Sequence, residues 1–323
     1  MTRLRRILVG ALVVIASASA ALAQSFPSKP LRFIVPFPPG GSADILARTI
    51  GQKMSEGLGQ SVVVDNRPGA GTAIGAEATA KSAADGYTIM IGTVSSHAIN
   101  PSLNAKLAYD PIRDFTPISP VASIPFALLV HPSLPAKNIE ELIGVARSKP
   151  GVLNFSSAGN GTSNHLAGEL FKSMARIDLV HIPYKGSAPA LNDLLAGQVN
   201  MMFDLVLTAA PHVKAGTVRA VAVTGKERSG VLPTVRTIAE SGLPGYEVSA
   251  WFGIFAPANV PLPIVQSLNK EVVRIMQLAD VRERLASQGA EPMSGSSEAF
   301  AEFVRIELAK WSGVVKAAGM RSE

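Results

Sequence analysis

The sequence predicts an α/β protein of two lobes, each a mostly parallel sheet flanked by helices, with a cleft between them. Three observations carry that prediction. The strand-like segments are continuous apolar runs, the mark of parallel strands buried on both faces, rather than alternating polar and apolar residues. They alternate with amphipathic helical segments along the chain. And 323 residues exceed what one ordinary hydrophobic core organises.

The first segment reads as a targeting signal outside the fold. Arg3, Arg5 and Arg6 precede an apolar run from Ile7 to Ala20, and Ala21-Leu22-Ala23 fits an A-x-A cleavage site. This gives a signal peptide over residues 1–23 and a mature chain from Gln24. The run is shorter than the roughly 20 apolar residues of a membrane span, and Pro, Gly or charge breaks every later one. The mature protein is therefore expected to be exported and not inserted in a membrane. Cysteine is absent, which excludes a disulfide framework, thiolate metal ligands, a cysteine nucleophile and a lipidated N-terminal cysteine. An unanchored exported protein stays near its cell only behind an outer barrier, so a Gram-negative periplasm is the expected compartment. Removing the leader, with its three arginines, lowers the formal net charge from +6 to +3. What remains has no run of like charge and no basic–aromatic interleaving, so nucleic-acid binding has no footprint.

Strands are expected at Leu31 to Val35, Ser61 to Asp65, Thr88 to Gly92, Ala127 to Val130, Leu153 to Ser156, Asp178 to Ile182, Val199 to Phe203, Val218 to Val223 and Gly253 to Ala256. The clearest helices are Ala43 to Gly57, Ile139 to Lys149, His165 to Met174, Ala188 to Ala196, Pro263 to Leu278 and Glu298 to Ala317. Two segments read as passages between lobes. Asp114 to Val121 is Pro-rich and extended, and Gly242 to Val248 leads into a returning strand. They imply a discontinuous first lobe, residues 24–122 and 249–323, with residues 123–248 inserted as the second.

Four loops carry the chemistry. Ile34-Val35-Pro36-Phe37-Pro38-Pro39-Gly40-Gly41-Ser42-Ala43-Asp44 runs from a buried strand through a rigid turn into a helix, which places backbone N–H groups beside the positive end of a helix dipole. Thr93 to Asn100, Ser157 to His165 and Pro183 to Pro189 repeat the pattern. One such loop is no more than a good turn and N-cap. Four at strand ends, two from each lobe, line a crevice where ligands of open α/β sheets sit. The candidate contacts are Phe37, Pro38, Gly40, Gly41, Ser42 and Asp44, then Thr93, Ser95 and His97, then Ala158, Gly159, Gly161 and Thr162, and finally Tyr184, Lys185 and Gly186. With Lys185 the only lysine among them, a carboxylate held here rests on backbone N–H, hydroxyls, helix ends and ordered water. Asp44 caps its own helix, receives a ligand ammonium group or bonds to water; the sequence leaves these open. Asp204 ends an apolar strand, facing the crevice or closing a turn. Phe37, Phe203, Trp251 and Phe252 are candidates for cleft walls or partial core.

Competing signals are weaker. Gly69-Ala70-Gly71-Thr72-Ala73-Ile74-Gly75 approaches a dinucleotide fingerprint, but its third glycine is one residue late and Arg67-Pro68 interrupts the turn, so close loop packing is preferred. The five histidines show no ligand spacing, and no G-x-S-x-G elbow is present. No cofactor, no metal and no catalysis are expected.

Several motifs fall in a recognisable order: Val35-Pro36-Phe37-Pro38-Pro39-Gly40-Gly41-Ser42-Ala43-Asp44, Asn66-Arg67-Pro68-Gly69-Ala70-Gly71, Asp85-Gly86-Tyr87-Thr88, Ser157-Ala158-Gly159-Asn160-Gly161-Thr162 with His165-Leu166, Pro183-Tyr184-Lys185-Gly186, Val199 to Asp204, and Trp251 to Ala258. Through them the chain resembles the substrate-binding proteins of tripartite tricarboxylate transporters, the Bug receptors, across essentially the whole mature sequence. The resemblance implies a type II-like periplasmic binding fold that closes on a small organic acid and delivers it to membrane permease subunits. It also implies that the Pro-Gly-Gly loop, with Gly161, Thr162 and Asp204 opposite, clasps a carboxylate. Arg236 and Asn259-Val260 depart from the family pattern, outside those loops. A monomer is expected. An exported enzyme acting on small acids and a ligand sensor for a signalling partner are the alternative readings.

Overall fold

The computed structural model describes residues 26–104 and 106–317, so the expected signal peptide lies outside the described residues. The chain opens with β1 (Leu31–Val35), buried except at Arg32, then α1 (Ser42–Leu58), β2 (Val62–Asn66), α2 (Ala73–Ala80) and β3 (Thr88–Thr93). β1 lies between β2 and β3 and pairs with both in parallel, with Leu31 opposite Val62 and Phe33 opposite Ile89. A wide helical turn at Ser95–Ile99 and the short α3 (Asn100–Leu103) follow.

The Pro-rich passage is one half of a single sixteen-residue strand, β4 (Phe115–Val130), which joins the two halves of the fold. From Phe115 to Pro125 it pairs antiparallel with β9 (Ser249–Pro257). From Phe126 to Val130 it lies between β7 (Met201–Leu205) and β8 (Arg219–Val223). The register with β9 slips between Pro117 and Ser119 and again between Pro120 and Ala122. Proline lacks the N–H a ladder needs, so it is accommodated at such irregularities.

Between these strands come α4 (Ile139–Ser148), β5 (Asn154–Ser157), α5 (Ser163–Ala175), β6 (Val180–Pro183), α6 (Ser187–Leu195) and, after β7, α7 (Val206–Lys214). The chain closes with α8 (Leu262–Gln277), α9 (Ala279–Ser287), the two-residue β10 (Glu291–Pro292) and α10 (Ser297–Ala317). Among the described residues the strand order is β2-β1-β3-β9-β4-β7-β5-β6, with β8 and β10 also on β4. Expected and observed strands agree to within a residue or two, except at the two crossing strands, which are much longer. The sense of pairing needs correction. The outer ladders are parallel, but every ladder made by β4 or β9 is antiparallel. These two strands carry the chain out of one sheet and back again, so they necessarily run opposite to each other.

A buried polar joint lies behind this crossing. Glu307 on α10 accepts from the indole Nε1 of both Trp251 and Trp311 at 3.0 Å, while Lys310 Nζ reaches its other oxygen at 3.1 Å. Glu307→Leu leaves two buried donors unpaired, each worth about 1–3 kcal/mol. The variant is expected to unfold at clearly lower denaturant with an unchanged m-value, read by urea titration of tryptophan fluorescence.

Candidate functional site

Three helix N-termini meet where the two halves face each other. Ser42 and Ala43 begin α1, Thr162 to Asn164 begin α5, and Ser187 begins α6; all line one cleft. The N-caps of α1 and α6 are Gly41 and Gly186, which offer no side-chain acceptor. The first-turn N–H groups of these helices, which have no intrahelical partner, are therefore left for an anion. Gly41 stands at φ −84°, whereas Gly186 stands at φ 155° and packs so closely on the Pro38 ring that a Cβ there would overlap it.

Asp44 holds the Pro-Gly-Gly loop in shape rather than facing the cleft. Its Oδ2 accepts from Gly40 N at 3.0 Å and Arg48 Nε at 2.9 Å, and its Oδ1 accepts from Asn66 Nδ2 at 2.9 Å. The same Asn66 amide donates to Phe37 O at 3.0 Å. Burial pushes the Asp44 carboxyl up, but the bonds from Arg48, Gly40 and Asn66 outweigh it and hold it below the usual carboxylate range.

The halves touch directly around the cleft. Ser95 Oγ accepts from Ser163 N at 3.1 Å, so a hydroxyl from one side caps a helix of the other. Ser42 Oγ lies 3.4 Å from Thr208 Oγ1. At the rim, Gly71 packs so closely on the Asn160 carbonyl that a Cβ would overlap it. Asn100, bonded to Gly71 O and to Thr72 Oγ1, stands equally close to Gly161. The structure is thus closed.

The expected residues distribute as follows. Phe37, Pro38, Gly41, Ser42, Thr93, Ser95, Ala158 and Thr162 line the cleft. Gly159, Tyr184 and Lys185 line an adjoining space that shares Phe37 and Ala158 with it. Gly40 and Asp204 line a third space behind the Pro-Gly-Gly loop. Gly161 and Gly186 serve the contact between the halves. His97 is a correction: it is fully buried, stacked on Phe255 at 3.8 Å and edge-on to Phe115 at 4.7 Å, and it does not line the cleft. Burial pushes its imidazole down to about 3, so it is a neutral core residue. Phe203 and Trp251 are also core.

Sequence reasoning missed the floor. Phe126, Leu205 and Ala250 line it beside Phe252, all on the crossing strands or their ladder partners. It also missed Ser163, Asn164 and Ser187, which their position just after a Gly-rich turn signalled. Among the described residues no charged side chain lines the cleft. Among the described residues there is no cluster of potential metal ligands, and no helix is long and apolar enough to cross a membrane.

Two α/β lobes joined by crossing strands and closed over a cleft of helix N-termini define a solute-binding protein of the periplasmic binding fold. Solved structures share this architecture. Rpa4515 of R. palustris, solved with adipate, is 41% identical with a TM-score of 0.89, covering 92% of this chain and 99% of that one. MatC (Rpa3494) of Rhodopseudomonas palustris, solved with bound malate, is 36% identical with a TM-score of 0.86, covering 90% and 100%.

The chain belongs to the tripartite tricarboxylate transporter family receptors (TctC), whose sequence profile matches residues 46–320. BugT of Bordetella pertussis is 37% identical over 323 residues, 99% of each chain. A protein from the tcbD-tcbE intergenic region of Pseudomonas sp. strain P51 is 41% identical, covering 96% of this chain and 93% of its own.

Proposed function

We propose that this protein is a periplasmic receptor that captures a small organic carboxylate by lobe closure and hands it to the permease subunits of a tripartite tricarboxylate transporter. The observation that carries the reading is the pair of helix N-termini without side-chain caps, α1 from one lobe and α6 from the other, opening on one cleft. Each contributes about half a positive charge. A carboxylate between them is neutralised without any cationic side chain and bridges the lobes, which makes closure its consequence. Ser42, Thr93, Ser95, Ser163 and Ser187 add hydroxyl groups.

The floor of Phe126, Leu205, Ala250 and Phe252 suits an apolar carbon skeleton. It offers no carboxylate to an ammonium group, so acids without an amino group are preferred over amino acids. Lys185 in the adjoining space suits a second carboxylate at the far end of such a skeleton. Adipate and malate, seen in relatives, are therefore the first ligands to test. The lobes are residues 24–122 with 249–323, and residues 123–248. A monomer suffices, because the whole cleft comes from one chain.

Mass spectrometry of small molecules released from gently purified protein, followed by thermal shift, tests the reading. The expected result is a carboxylic acid that raises the melting temperature; at a hundred times its Kd, stabilisation is about 2.7 kcal/mol. No shift across linear, branched and aromatic acids would remove the assignment. Product formed in excess over protein would favour an enzyme instead.

A further inference from the structure

Behind the Pro-Gly-Gly loop lies a carboxyl group that the carboxylate clasp does not use. Asp204 at the end of β7 is 1% exposed, and its Oδ1 is buried without any hydrogen-bond partner. Its Oδ2 is 2.7 Å from Thr208 Oγ1. That hydroxyl is also 3.0 Å from Leu205 O and 3.4 Å from Ser42 Oγ. A threonine hydroxyl has one proton. Shared between the Asp204 carboxyl and the Leu205 carbonyl it serves neither fully, and the helical back-bond to a carbonyl is its usual use. A second proton on the Asp204–Thr208 contact, carried by the Asp204 carboxyl itself, resolves the conflict.

We propose that Asp204 is a positioning residue, held in the closed protein as a neutral carboxylic acid that donates to Thr208, so that Thr208 meets Ser42 at the ligand-binding end of α1 and lobe closure takes up one proton. The space beside Asp204 is walled by Gly40, Gly41 and Ile45 from one lobe and by Ser187 and Thr208 from the other. Parting the lobes readmits water, and the hydrated acid ionises. Burial in the closed form pushes this carboxyl up to about 7.

The other charged groups nearby are accounted for. Asp44 on α1 is engaged by Gly40, Arg48 and Asn66, and Asp193 on α6 accepts from the Tyr184 hydroxyl. Gln288, whose Oε1 is likewise unpaired, brings no charge. His212 on α7 is the other titratable side chain lining the space.

The sign follows from linkage. The closed state holds more protons than the open one, so closure and affinity are greatest at lower pH and fall as pH rises through about 7. With adipate as the probe, calorimetry is expected to give about tenfold weaker binding near pH 8 than near pH 6, with uptake of about one proton near pH 6. His212→Asn retains this dependence. Asp204→Asn, which keeps a donor toward Thr208 but does not titrate, is expected to bind adipate as the wild type does near pH 6, with a flat profile. A flat wild-type profile, or weak binding by Asp204→Asn at both pH values, overturns the proposal. The proposal rests on the receptor reading only for its ligand. The carboxyl 13C resonance of Asp204 in adipate-saturated, closed protein reads the group directly: titration near 7 supports the neutral acid. Titration in the ordinary carboxylate range overturns it and leaves the receptor reading standing.

Discussion

Gly41→Val is expected to abolish adipate binding while the fold stays intact. Gly41 has a φ of −84°, which any L-residue adopts, and a Cβ built on it meets nothing within 4 Å. The isopropyl group therefore enters the cleft beside the first-turn N–H groups of α1 instead of the protein's core. A carboxylate kept from that terminus loses two charge-assisted hydrogen bonds, about 1.5–3 kcal/mol each, or roughly a hundredfold to ten-thousandfold in affinity. Calorimetry measures the loss, and circular dichroism with the ligand-free melting temperature checks the fold. Affinity within a few-fold of wild type would mean that the anion sits elsewhere.

Gly71→Ala is the second large effect, and it acts on closure rather than on contact. The new methyl would overlap the backbone carbonyl of Asn160 in the opposite lobe. A backbone atom cannot rotate away as a side-chain tip does, so relief comes from parting the lobes. The φ of +57° adds about 1 kcal/mol of local strain, small beside the loss of the closed state. Expected are at least tenfold weaker adipate binding and, with saturating adipate, a larger radius of gyration by small-angle scattering than wild type. A variant that compacts on adipate as wild type does would show that this seam yields without opening.

These two glycines illustrate what was readable in advance. Gly41 belongs to a strand–turn–helix sequence whose order alone puts free N–H groups at a helix terminus, and the structure places them at the cleft. Gly71 sits in a near-fingerprint for dinucleotides, read as close packing. Close packing it is, but against the other lobe, a partner no local pattern names. His97 went the other way: its loop lines the cleft through Thr93 and Ser95, while the wide helical turn over Ser95–Ile99 carries the imidazole into the aromatic core. The same loop length with ordinary helical winding would aim that side chain differently, and the sequence did not signal the change. Asp44 illustrates a third outcome. The sequence left capping, ligand contact and water open, and three hydrogen bonds to Gly40, Arg48 and Asn66 make it a brace for the loop.

By itself the sequence determined the alternation of strands and helices, the Gly-rich loops at strand ends and the family. These are local properties: apolar runs, turn residues and N-terminal residues act over a few positions, and their physics does not depend on distant partners. Only the tertiary structure decided that β4 runs from one lobe into the other and pairs antiparallel with β9, that Phe126, Leu205, Ala250 and Phe252 form one floor, and that Asp204 is sealed away from water. Each of these depends on segments more than a hundred residues apart arriving at one place. Burial, and with it the charge a carboxyl carries, belongs to that assembly and not to any stretch of chain.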